Sequence, residues 1–235
     1  MPVDQETHAL PPPWKEFLSE LDDMLTEPVE LHCIGGFVLS LFYGLPRTTG
    51  DIDYYTAIPP NLDLDAMAGQ GSALHGKHKV WLHRVGVANL PEDYTTRLSE
   101  MASGQFKRLK ILVPDAYDCI LSKLERASPK DRDDADYLFR SQKLDAQVLR
   151  DRYKNELRHN LIGKIEMARS DARALDRHLH GTAVTSELQA KQQFKVLQFV
   201  LTIGTKQRRL DPMSSIPPIR YWLAEARSLS DERPT

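Results

Sequence analysis

The sequence contains no long hydrophobic run: no stretch approaches the roughly eighteen apolar residues that a membrane-spanning helix requires. Cysteine is scarce. The two present, Cys33 and Cys119, lie far apart in apolar surroundings, which excludes a disulfide scaffold and fits buried thiols of a reducing compartment. Excess charge of either sign is also missing. With 31 Lys and Arg against 33 Asp and Glu, the formal charge is -2, so any nucleic-acid surface has to be local. The opening MPVDQETHALPPP is polar and lacks the apolar core of a secretion signal, so a cytoplasmic protein without membrane contact is expected. What is present is length. A chain of 235 residues can bury a sizeable core, as one large domain or as one domain with a helical extension.

The most informative stretch is residues 31–55, LHCIGGFVLSLFYGLPRTTGDIDYY. Leu31 to Ile34 is expected as a short strand, Gly35 and Gly36 as a tight turn, and Phe37 to Tyr43 as a short helix ended by Gly44 and Pro46. The chain returns through Arg47, Thr48 and Thr49 into Asp51-Ile52-Asp53-Tyr54-Tyr55. On that strand the period of two sends both carboxylates to one face and Ile52 to the other. Two acids side by side repel each other, and a divalent cation removes the repulsion. Oxygen ligands at this spacing suit Mg²⁺ or Mn²⁺. The glycines leave backbone N–H groups exposed at a helix start, where phosphate oxygens are well received. Together these features make a place to hold a nucleoside triphosphate with its metals.

This arrangement resembles the nucleotidyltransferase superfamily of the polymerase-beta type, whose signature is a glycine pair or Gly-Ser, a spacer, and Asp-x-Asp. Gly35 and Gly36 with Asp51 and Asp53 carry the match. The resemblance implies that Asp51 and Asp53 hold the metal ions and that Gly35 and Gly36 pass close to the triphosphate, with Arg47 and Thr49 beside it. A third carboxylate usually follows on a later strand, yet its natural slot in GVANLPEDY holds Asn89. An amide cannot neutralise a metal as a carboxylate does. Three alternatives stay open: Glu92 or Asp93 folds back to the site, an acid from the later helices supplies the ligand, or the metal set is reduced.

Before this core, Pro11 to Pro13 close a leader and start a helix over Trp14 to Leu25, whose apolar residues Trp14, Phe17, Leu18, Leu21 and Leu25 share one face and cover the first strands. After it, Leu62 to Ala68 is expected as a short helix interrupted by Gly69 and Gly71. His75, His78 and His83 follow. They are read as surface or partly packed residues of a loop and strand edge, since no cysteine or helix-spaced carboxylate completes a zinc set. Residues 79–90 are expected as one or two strands and Phe106 to Val113 as another.

Residues 114–139, PDAYDCILSKLERASPKDRDDADYLF, begin with a helix whose apolar side is Tyr117, Ile120, Leu121 and Leu124, with Ser122, Lys123 and Arg126 away from it. Ser128-Pro129-Lys130-Asp131 has the spacing of a capping box, with proline at the first helical position, and Asp134 follows one turn later. A lysine and an arginine in one helix, then Lys-Asp-x-x-Asp opening the next, resembles the AbiEii-like toxin nucleotidyltransferases, and the span from Leu31 to about Arg152 resembles the small bacterial DUF6036-type family. The resemblance implies transfer of a nucleotidyl group from an NTP, in some members to the 3′ end of transfer RNA, usually with a cognate antitoxin. It assigns Lys123 to the phosphates, with Arg126 as a further cation, and Asp131 or Asp134 as a late essential acid.

The C-terminal third is helical in character, with segments over 143–157, 162–179 and 188–203, and a compact basic run at Lys206, Arg208 and Arg209 that either exits a helix into solvent or faces RNA. The expected fold is α+β: a nucleotidyltransferase core of mixed β-sheet flanked by helices over 14–140, a helical region over 141–225, a leader over 1–13 and a disordered tail over 226–235.

Overall fold

The computed structural model describes residues 10–86, 88–123, 128–157 and 160. The expectations for Arg126, the basic run 206–209 and the helices beyond 160 lie outside the described residues. The chain divides into two compact units, one of Met1–Ala88 and Asp93–Cys119, the other of Asn89–Glu92 and Ile120–Thr235.

The first unit is built on a five-stranded sheet of β1 (Val29–Ile34), β2 (Asp51–Ile58), β3 (Trp81–Arg84), β4 (Ser99–Met101) and β5 (Leu109–Val113), in the order β3-β2-β1-β5-β4. β1 runs antiparallel to β2 and parallel to β5, β2 is parallel to β3, and β4 is antiparallel to β5, so the sheet is mixed as the α+β reading requires. Central β1 is buried at Val29, Leu31, His32, Cys33 and Ile34, whereas β2 alternates from buried Ile52 and Tyr54 to partly open Asp51 and Asp53. That alternation leaves one face of β2 available for chemistry.

Helix α1 (Trp14–Met24) buries Trp14, Phe17, Leu18 and Leu21, and the Trp14 ring meets Phe37 of α2 (Gly35–Leu41) edge-on at 5.0 Å. The same helix is fastened to the sheet by Asp22, whose carboxylate accepts the backbone N–H groups of Lys107, Arg108 and Leu109 at 2.9, 2.7 and 2.7 Å. Burial alone would raise the Asp22 pKa. The three backbone donors outweigh it and hold the carboxyl below its ordinary value.

Several boundaries differ from expectation. Gly35 and Gly36 open α2 instead of forming a separate turn, with Gly35 at φ +75°. The short helix expected before Gly69 is present as α3 (Leu64–Ala68), but the loop expected around His75 contains a further helix, α4 (Ala73–His78), capped by the Ser72 hydroxyl, which accepts the His75 N–H at 3.2 Å. Lys79 in the left-handed region ends α4, so β3 begins only at Trp81. Short β4 gave no sequence signal, because three residues carry too little alternation.

The unit boundary falls within α5 (Ala116–Leu121). In the second unit, α6 (Pro129–Ser141) opens with the expected capping box: the Ser128 hydroxyl accepts the Asp131 N–H and the Asp131 carboxylate accepts the Ser128 N–H. Ala135, Leu138 and Phe139 are buried on α6, Leu149 on α7 (Ala146–Arg152), and Leu157 on the wider turn Tyr153–Leu157 that follows. Cys33 and Cys119 are both free and buried, as expected.

Candidate functional site

Parallel pairing of β2 with β3 sets Asp51 opposite Trp81 and Asp53 opposite His83. Paired residues of neighbouring strands point to the same side, so both acids and the imidazole share one face. His83 Nδ1 lies 2.8 Å from Asp53 Oδ1. Asp51, Asp53 and His83 each present one ligand-type atom, and these atoms lie within 4.8 Å of one another. Among the described residues this is the group of three such side chains that converges; Glu92 and Asp93 are not in it.

The residues just before β2 orient the first acid. The Thr49 hydroxyl lies 2.9 Å from Asp51 Oδ1 and donates to it, fixing one carboxylate oxygen. Each glycine of the pair then makes room for one acid. A Cβ on Gly35 would come within 3.0 Å of the Asp53 carboxyl carbon and closer still to Oδ2. A Cβ on Gly36 would stand 3.0 Å from the Thr49 hydroxyl that serves Asp51. Thus α2 enters beside the two carboxylates through residues without side chains. Arg47 lies on the return from α2, its carbonyl accepting the Ser40 hydroxyl at 2.6 Å. Burial pushes the Cys33 thiol far above its ordinary range, with the Asp53 charge adding to it, which disfavours the thiolate that nucleophilic or metal-binding chemistry requires.

In the second unit, Lys123, Asp131 and Asp134 come together. Lys123 Nζ lies 2.9 Å from Asp134 Oδ2 and 3.5 Å from Asp131 Oδ1, and both aspartates are buried. Asp131 also accepts the Ser128 hydroxyl at 2.6 Å, so its carboxylate serves cap and ion pair at once. Asn89, in the slot expected for a third acid, is buried, and Glu92 accepts the Asn160 amide at 3.4 Å.

From the sequence alone His83 reads as a surface or partly packed residue of a loop and strand edge. The available signal was Trp81-Leu82-His83, which alternates with the same period as Asp51-Ile52-Asp53. What the sequence did not reveal was the parallel register that puts the two alternations side by side.

Comparison with curated proteins and with solved structures gave no match. A family model described as a nucleotidyltransferase of unknown function (DUF6036) matches residues 15–173. That span contains the glycine pair, both acids, His83 and the Lys123 cluster. With the mixed sheet and its paired acids in view, the chain belongs to the DUF6036 family of nucleotidyltransferases.

Proposed function

We propose that the chain transfers a nucleotidyl group from a nucleoside triphosphate to an acceptor hydroxyl, with one or two divalent cations, Mg²⁺ or Mn²⁺, held by Asp51 and Asp53. The observation that carries this reading is the pair of carboxylates on the open face of β2, with Gly35 backed directly against one of them. The donor set fits a hard or borderline dication, since two adjacent carboxylates offer oxygens and share a repulsion that a cation relieves. Bound there, such ions supply charge neutralisation for the phosphates and a more acidic acceptor hydroxyl. The chain's own residues do the positioning. Thr49 orients Asp51, the Gly35–Gly36 backbone admits the triphosphate, and Arg47 offsets phosphate charge from the return loop.

The order Lys123, Arg126, Lys130-Asp131 and Asp134 supports a finer reading by resemblance to AbiEii-like toxins: a transfer RNA 3′ end as acceptor, and a toxin-like role with a cognate antitoxin. The test is transfer of label from each α-labelled NTP to total transfer RNA, with and without divalent cation. Metal-dependent labelling of RNA is the expected result.

One observation favours a second reading, a nucleotide-binding protein without turnover. The Lys123 ammonium is held by two buried aspartates, so a phosphate has to compete with them for it. NTP binding in calorimetry with neither label transfer to any acceptor nor release of pyrophosphate would establish that alternative.

A further inference from the structure

We infer that His83 is the third protein ligand of the cation site, and that its imidazole turns a two-carboxylate site towards Mn²⁺ and away from Mg²⁺. This rests on the nucleotidyl-transfer reading, which places cations at Asp51 and Asp53, and adds to it the ligand that replaces a third acid.

The geometry comes from the sheet. Four consecutive pairs, Asp51 with Trp81 through Tyr54 with Arg84, align β3 on β2 and deliver the imidazole to the face that carries the acids. Donor atoms bound about 2.0–2.6 Å from a single ion lie at most roughly 5 Å apart. The three ligand-type atoms here fall inside that limit, at 4.8 Å or less.

Packing does not account for the histidine. The His83 side chain is 57% exposed and that of Asp53 25%, so their contact is a surface pair of small energetic weight. Its ring is not part of the core, and its position matters for what the open face can bind.

Ligand chemistry then selects the ion. Mg²⁺ takes oxygen ligands in near-ideal octahedral geometry and gives up water reluctantly. Imidazole suits later first-row metals, whereas carboxylates suit Mg²⁺, Ca²⁺ and Mn²⁺. Of the two cations proposed for the site, Mn²⁺ is the transition metal and takes an imidazole nitrogen beside carboxylates more readily than Mg²⁺, while also serving phosphoryl chemistry. The imidazole has to be neutral to ligate, and its hydrogen bond to Asp53 gives way as both groups turn to the ion.

The test uses the full chain freed of metal, with Mn²⁺ titration followed by electron paramagnetic resonance and pulsed measurement of nitrogen coupling to the bound ion. The expected result is Mn²⁺ bound with directly coordinated ¹⁴N. In His83→Ala the nitrogen signal disappears and Mn²⁺ affinity falls about tenfold or more, with Mg²⁺ affinity changed less. His83→Asp, which supplies an oxygen donor instead, binds Mg²⁺ more tightly than His83→Ala without restoring the nitrogen signal. Mn²⁺ bound by the unaltered chain with no coordinated nitrogen overturns the role of His83. If that binding is nevertheless lost in Asp51→Asn, the transfer reading stands without it. Failure of the unaltered chain to bind Mn²⁺ overturns the role of His83, and failure to bind Mg²⁺ as well overturns the transfer reading.

Discussion

The backbone of Gly35 lies against the carboxylate of Asp53, so that a Cβ at position 35 would come within 3.0 Å of the carboxyl carbon. Gly35 also sits at φ +75°, where an L side chain is strained by about 1–2 kcal/mol. Gly35→Ala is therefore expected to destabilise the fold by at least that amount and to displace Asp53. Thermal melts and metal titration of the variant check this: the loss of cation affinity should exceed what the melt explains. Gly36→Ala, outside the left-handed region and facing only the Thr49 side chain, should be milder in both.

Asp51→Asn and Asp53→Asn should each lower metal-dependent transfer of label by more than about a hundredfold. Both side chains lie on the partly open face of β2, so the melts should move little. Initial rates with α-labelled NTP decide the matter, and full activity in both variants would remove the proposed site.

At the α6 start, capping and ion pairing can be separated. Ser128→Ala removes the cap hydroxyl and should cost about 0.5–2 kcal/mol while leaving turnover of the folded protein intact. Lys123→Ala leaves Asp131 and Asp134 buried without their ammonium and should cost about 3–5 kcal/mol. Under the transfer reading, Asp134→Asn lowers the rate by more than its stability change accounts for. A rate that merely tracks the folded fraction would give the Lys123 cluster a structural role alone.

Asp22 yields a pH prediction. Its folded pKa lies below the ordinary 3.8, held there by three backbone donors against the effect of burial. A depressed carboxyl contributes stability that is fully present above the unfolded value and is lost as pH falls through the folded one. Asp22→Asn should cost about 1.5–3 kcal/mol at pH 7. In denaturant unfolding, the gap between the two proteins should stay constant down to mildly acidic pH and narrow below 3.8.

The sequence made the site's first half legible because local rules govern it. Strand alternation puts Asp51 and Asp53 on one face and Ser128-Pro129-x-Asp131 announces a cap, whereas the glycine pair, expected as a turn, opens α2 against Asp53 and Thr49. What stayed hidden depends on partners distant in the chain. His83 gains its meaning only from pairing with Asp53, and Lys123 its buried surroundings only from the fold of α6 back onto it. Helix α4 went unrecognised because Gly69, Gly71 and Gly76 mask a short helix that Ser72 and Lys79 nevertheless cap.

With His83 as the inferred third ligand, the four-pair ladder between β2 and β3 would make cation choice a property of strand registration. Sliding β3 by one residue would turn Leu82 to the open face and His83 to the core, replacing an imidazole by a hydrocarbon without changing any residue. The left-handed Lys79 that stops α4 two residues before β3 therefore acts as a length gauge for the site. An insertion or deletion at that stop would be read out as altered metal preference well before it was read out as unfolding.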